Sequence, residues 1–358
     1  MLFSTLTLLA CASTPDTSSD PRATLDSAPP ATGAWTLTGG TIVGLGPADL
    51  EIRDGHITAV GTADPALPTV DVSGLWLAPA FIDSHVHLVY DARPLEMASG
   101  GIAGVVDLAA PVSVFDADWG PLRAVRSGPM VTAVGGYPTT GWGSAGYGLE
   151  CADAQAAETA VDDLVALGAG VIKLPVTGGA QLDDPALAAA VARARIHGVP
   201  VASHALGDSE ATRAAEAGAD VLAHTPTGGL GTEALAAWSG RAVISTLRAF
   251  GGGTTAVANL GALHAGGTTV LYGTDFGNSR TTGIDTAELA LMLSAGLTPT
   301  EVLAGGTSVP AAWWGLSDLG SLEVGKAASL LVLSSDPLVD VATLGAPVAV
   351  YLDGVRQD

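Results

Sequence analysis

The sequence predicts an α/β fold: a (β/α)8 TIM barrel carrying a small β-sandwich built from both chain ends. Eight short apolar runs alternate with alanine-rich stretches whose apolar residues recur at helical spacing. Strand-and-turn patterning flanks that region on both sides. The 358 residues hold one barrel of about 250 residues plus an accessory domain. Periodicity alone leaves a doubly wound open sheet as the alternative.

The chain is 48% hydrophobic and 14% charged, so a large buried core is readily built. With 36 acidic and 14 basic residues, the net charge is −22. Such a surface repels phosphate backbones, which argues against a nucleic-acid partner. Lysine is scarce: Lys173 and Lys326 stand against twelve arginines.

Four segments follow in order. Residues 1–11 resemble a bacterial lipoprotein signal, a short apolar run ending in Leu8-Leu9-Ala10-Cys11. Cys11 would carry the lipid, and the protein would be exported and membrane-anchored, periplasmic or on the cell surface. No Lys or Arg precedes the run, which departs from a secretory leader; a frayed terminus or a displaced start is the alternative. Residues 12–34, rich in Ser, Thr, Pro and Asp, read as a flexible linker. Residues 35–78 and 318–358 read as one composite β-sandwich, with Asp54-Gly55 and Asp353-Gly354 marking tight hairpins and GSLEVG, ASLLVL and VAVYLDGVRQD returning to strand. Residues 79–317 read as the barrel. Its strands are expected at 79–84, 103–108, 130–135, 171–175, 199–203, 220–223, 242–247 and 269–273. Helices are expected at 152–168, 183–197, 208–218, 254–265 and 285–315. No later run reaches 18 apolar residues, so no transmembrane helix is expected. Two cysteines make no disulfide framework, and Cys151 reads as an inert thiol.

The chemistry-bearing residues sit where these strands end. In Asp83-Ser84-His85-Val86-His87, positions i and i+2 share one side of a strand, so His85 and His87 can bind one metal. Lys173 closes the apolar run Val171-Ile172-Lys173. A buried unpaired ammonium costs several kcal/mol, so the lysine either reaches a carboxylate or reacts with CO2 to give a carbamate whose two oxygens bridge two cations. His204 and His224 end the next two strands. Each alone reads as an ordinary core histidine; on successive strands they suggest a shared site. Asp275, after the last strand, can ligate a metal and relay a proton, or merely cap a helix. All six fall at the C-terminal strand ends, the catalytic face of a barrel. His56, His197 and His264 read as structural.

The stretches LAPAFIDSHVHL, VIKL, SHALG, LAHT, YGTDFG and LTPTEVLAGGTSVPAAWWGLSDLGSLEVGKAASLLVLSSDPL resemble the amidohydrolase superfamily, in particular its prolidase-like and imidazolonepropionase-related binuclear members. The resemblance covers roughly residues 35–358, with Ser329 where the family often has Asp. It implies that His85, His87 and Asp275 hold one divalent metal and His204 and His224 another, with carboxylated Lys173 between them. It also implies that a metal-bridging hydroxide attacks a small-molecule amide, peptide or cyclic amide while Asp275 passes the proton to the leaving nitrogen. Histidine and carboxylate ligands suit zinc, with manganese, iron, cobalt and nickel as alternatives.

A mononuclear deaminase or cyclic-amide hydrolase on the same scaffold is the second reading. Related members place a Glu three residues after the fifth-strand histidine; here that residue is Gly207. A binding protein that kept the barrel would have lost ligands, and none is missing. For substrate contact the candidates are Tyr137, in a loop with Trp142 and Tyr147, and Arg248 and Arg280, either of which could hold a carboxylate or pair with surface acids. Nothing in the sequence excludes an oligomer.

Overall fold

The computed structural model describes residues 33–357. The 1–11 leader with Cys11, and the linker up to residue 32, lie outside the described residues. Strand structure already begins at Ala34, one residue inside the expected linker.

The described chain is a mixed α/β fold. At one end two sheets face each other. A four-stranded sheet has the order His56–Gly61, Asp49–Arg53, Ala34–Thr38, Thr69–Asp71. A six-stranded sheet has the order Val355–Gln357, Ala349–Leu352, Leu330–Leu333, Trp76–Pro79, Thr41–Ile42, Gly46–Pro47. Residues from both chain ends therefore pair directly, as Val332 does with Leu77. Alternation along the strands sends Trp35, Leu37, Leu50, Ile52, Leu330 and Val332 into one buried cluster between the sheets. Asp54-Gly55 and Asp353-Gly354 make the hairpin turns, at φ of 47°, 81°, 50° and 73°. Both central residues of such a turn need a left-handed backbone, which Asp tolerates and Gly favours. GSLEVG, expected as a strand, is irregular and carries only turn residues and bends.

The central region pairs its strands in parallel. One sheet runs Arg123–Arg126, Ile102–Asp107, Phe81–Val86; another runs Ile172–Pro175, Val201–His204, Val221–Leu222, Ala242–Ile244, Thr269–Leu271; Met130–Ala133 pairs with Gly148–Cys151. The ladders do not form one continuous ring, but the first and last strands touch: Ser84 N donates to Tyr272 O at 2.9 Å, and His87 N to Phe276 O at 2.7 Å. Val106, Val125, Val171, Ala202, Val221 and Leu271, from strands or their flanks in both larger sheets, share a buried cluster with Trp314. The Trp314 indole donates to Ser84 Oγ at 3.0 Å, tying that cluster to the first strand.

Helices lie between the strands, and their caps explain their bounds. Asp153 accepts from Ala156 N to start Ala154–Ala166, and Asp183 accepts from Ala186 N to start Asp184–Ile196. The expected 285–315 helix is three: Thr286–Ser294, Pro299–Gly306 and Ser308–Trp313. Gly296, at φ 99°, ends the first, and the Thr298/Glu301 capping box with Pro299 restarts the chain. Among the described residues no helix is long and apolar enough to cross a membrane.

Candidate metal centre

All six expected ligands are buried, none more than 7% exposed. His85 lies within strand Phe81–Val86 and His87 one residue past it. Lys173 and His204 lie on the neighbouring strands Ile172–Pro175 and Val201–His204. His224 and Asp275 stand two and four residues beyond shorter strands than expected, Val221–Leu222 and Thr269–Leu271.

Glycine permits this convergence. A Cβ on Gly273 would lie 3.2 Å from His85 Cβ, and one on Gly277, at φ 109°, 2.9 Å from His87 Cβ. The two glycines of YGTDFG thus let the last strand close against the His-X-His pair. Between them Asp275 takes a left-handed backbone, φ 53°, held by Asn278 N and Ser279 N donating to its carbonyl. Thr246 is likewise left-handed at φ 39°, and its Oγ1 lies 3.2 Å from His224 Nδ1. Such strain persists where surrounding contacts over-determine it, as at functional sites.

The hydrogen bonds fix which nitrogens are free. His85 Nδ1 lies 2.8 Å from Ala223 O, and His87 Nδ1 lies 3.2 Å from Ala109 O. A carbonyl can only accept, so each Nδ1 carries a proton and each Nε2 keeps its lone pair. The two Nε2 atoms face each other at 3.3 Å, and Asp275 Oδ1 lies 3.5 Å from one and 3.1 Å from the other. Three buried acceptors around one point repel unless a cation or proton joins them. This triad is the group that could hold a metal. Without one, burial is the largest single influence and opposes a charge on His87, but the bond to Asp275 and the charges of Asp275 and Asp107 together raise the imidazole pKa. Burial opposes charge on Asp275 too, but His85 and His87 hold it down to about 2.

The second half of the site adjoins the first. The His224 ring stacks on His85 at 4.5 Å and meets His204 edge-on at 4.8 Å. Burial pushes His204 down to about 3 and His224 well below its ordinary value, so both imidazoles are neutral, as ligands must be. Lys173 is fully buried, and its Nζ has no hydrogen-bond partner among the described residues. Burial pushes the ammonium down to about 7, with Asp275 holding it back. Its charge is felt by all four histidines. An orphaned amine beside the neutral imidazoles of His204 and His224 fits a residue that gains its partners from a bound group.

A model of the amidohydrolase family matches residues 96–356. The chain belongs to the amidohydrolase family. His85 and His87 precede the matched span, and the other four site residues lie within it. Two curated relatives are similar over short stretches. An N-acyl-D-aspartate deacylase of Alcaligenes xylosoxydans xylosoxydans is 43% identical over 96 residues, 24% of this chain. A D-hydantoinase of Rhizobium radiobacter is 36% identical over 86 residues, 20% of this chain. Each match spans only 19% of the relative's length. Among solved structures, a candidate prolidase from Bifidobacterium longum superposes at a TM-score of 0.76 with 25% identity, over 91% of this chain and 95% of its own. A Xaa-Pro dipeptidase with methionine bound in its active site gives 0.77 at 19% identity, over 90% and 99%, a likeness of fold.

This amidohydrolase supports its site with three buried carboxylates that sequence reasoning did not single out. Asp83 accepts from Thr274 Oγ1 at 2.5 Å, Thr274 N at 3.0 Å and His85 N at 3.1 Å, joining both ligand strands. Asp107 accepts from Leu88 N at 2.8 Å and from Ala109 N at 3.4 Å, fixing the segment whose carbonyl orients His87. Glu288 accepts from Leu247 N at 2.9 Å and Arg248 N at 2.6 Å, anchoring the loop behind Thr246. An acid inside an otherwise apolar strand was a readable signal for the first two. Glu288, one polar residue on an ordinary helix, gave none.

Burial raises Glu288 from 4.5 to about 7 against its hydrogen bonds. The folded state therefore keeps a proton that the unfolded chain has lost, and stability falls as pH rises from about 4.5 to about 7. In metal-free protein, Glu288→Gln should remove that loss. Denaturant unfolding should show wild type losing stability relative to the variant across this window, by up to ~1.4 kcal/mol per pH unit. Parallel curves would count against a buried, protonated Glu288.

Of the substrate candidates, Tyr137 stands at the site, its ring 5.0 Å from His204 and its hydroxyl accepting from Trp142 Nε1 at 2.9 Å. Arg248 is exposed, with its backbone on Glu288. Arg280 is 3.0 Å from Asp91 in an ion pair. Lys326 donates to Ser317 O. His197 pairs with Asp162, His264 with Glu301, and His56 Nδ1 with Asp54 O. Cys151 is a buried free thiol.

Proposed function

We propose that this chain is a binuclear metal-dependent hydrolase that cleaves a C–N bond, in an amide, peptide or cyclic amide, of a small molecule. The observation that carries this reading is the orphaned, fully buried Lys173 amine beside a triad of acceptors that needs a cation. The likeness to proteins named as a deacylase, a hydantoinase and a prolidase supports the bond type. We read the parallel strands as arcs of one (β/α)8 barrel; the shared apolar cluster and the Ser84–Tyr272 bond support closure.

In this reading His85, His87 and Asp275 hold one ion and His204 and His224 the other. Lys173, depressed to about 7, has a neutral amine fraction at physiological pH. That amine would add to CO2 with release of a proton, and the carbamate so formed on Lys173 would supply an anionic ligand to the metal centre. Two divalent ions, zinc in our assignment, would supply a hydroxide nucleophile near neutral pH and polarise the scissile carbonyl. Asp275, ionised down to about 2, accepts the proton of the attacking water and delivers it to the departing nitrogen. Asp83 and Asp107 keep the His-X-His segment in register while the substrate binds. The mononuclear alternative leaves Lys173 without a role. Cys11 we retain as a proposed lipid anchor of an exported protein.

Chelation should abolish hydrolysis of a panel of N-acyl amino acids, dipeptides, cyclic imides and lactams, and re-addition of zinc with bicarbonate should restore it. Hydrolysis that persists after verified metal removal would overturn the reading.

A further inference from the structure

We propose that the substrate group bound beside the metal centre is a neutral aromatic ring, held by Tyr90, Tyr137, Trp142, Tyr147 and Phe250; this rests on the binuclear reading above. Three of these rings touch ligand histidines. Trp142 meets His87 edge-on at 5.9 Å, Phe250 meets His224 at 4.7 Å, and Tyr137 lies tilted over His204 at 5.0 Å. Tyr90 and Tyr147 extend the wall, 6.1 Å and 5.2 Å from Trp142.

The concentration is selective. The chain has five tyrosines, and three of them stand here. Tyr90 and Trp142 are 49% and 36% exposed, so large rings remain open to water at the site instead of completing the core. Aromatic pairs gain from edge-to-face and offset geometry, and these rings offer both edges and faces. The charges bordering Tyr90 are already matched: Arg93 and Arg280 share Asp91, and Arg93 also reaches Glu96. An anionic group would gain little from that rim.

The wall is held in shape by its glycines. A Cβ on Gly143 would lie 2.5 Å from Pro138 Cγ, and one on Gly148 2.5 Å from Thr139 Cγ2. Only glycine lets the loop fold back so that Trp142 donates to the Tyr137 hydroxyl.

Three hydroxamates that share a metal-chelating head test this by calorimetry on the metal-loaded enzyme: acetohydroxamate, phenylacetohydroxamate and the succinic monohydroxamate. The phenyl compound should bind at least tenfold more tightly than the other two. Trp142→Ala should cut its advantage over acetohydroxamate at least fivefold, and Tyr90→Ala, at a half-exposed position, should cut it in the same direction. Equal affinities in the wild type, or tightest binding of the succinyl compound, would overturn the proposal while leaving the metal reading intact. Binding of none of the three would overturn the metal reading and the proposal with it.

Discussion

Lys173→Ala should lose hydrolysis by on the order of 10³-fold or more, and its metal content should fall from two ions per chain to one or none. The reason is electrostatic. Two dications a few ångströms apart need an anion between them, and the other five side chains supply only one, Asp275. Loss of 10³ in rate is ~4 kcal/mol of transition-state stabilisation. The variant should fold, because removing an amine that has no hydrogen-bond partner among the described residues leaves none of them stranded. It should even gain stability in the metal-free state, where the wild type must bury an ammonium or give up its proton, and this separates a lost ligand from a lost fold. Short carboxylic acids added to the variant should restore part of the activity by occupying the vacated space. Elemental analysis and activity decide together: two ions and full activity in Lys173→Ala would remove the lysine from the site.

Asp275→Asn should lower kcat on the order of 10²- to 10⁴-fold at saturating zinc, the range for a lost acid–base group. The amide oxygen can still approach a cation, but it cannot take the proton of the attacking water. The wild-type carboxylate is held ionised down to about 2, so it is a base throughout the neutral range. A pH–rate profile of the wild type should therefore show no acid limb from Asp275 above about pH 4, the ordinary aspartate range. A variant that retained wild-type kcat would assign proton transfer elsewhere.

Much of the α/β fold and of the candidate site was legible because strand ends and potential metal-binding side chains coincide. His85-Val86-His87, His204 and His224 each close an apolar run, and a strand's two-residue repeat says where such residues can meet. Other features depended on contacts between distant segments. Arg123–Arg126 is a strand, yet its charged ends and four residues gave no apolar signal; it forms by pairing with Ile102–Asp107. GSLEVG alternates well enough to suggest a strand but remains irregular. Asp83 and Asp107 were readable as acids set in apolar strands, but their backbone N–H partners across the fold, like those of Glu288, are named by no local pattern. Arg280 could be placed near the last strand, but not with Asp91, 189 residues away.

Anomalous diffraction from zinc-loaded crystals grown with bicarbonate tests the central claim most directly. The account predicts two strong peaks, one among His85, His87 and Asp275 and one beside His204 and His224, with Lys173 density extended by a carboxylate that reaches both. A single peak beside an unmodified Lys173 amine would contradict it.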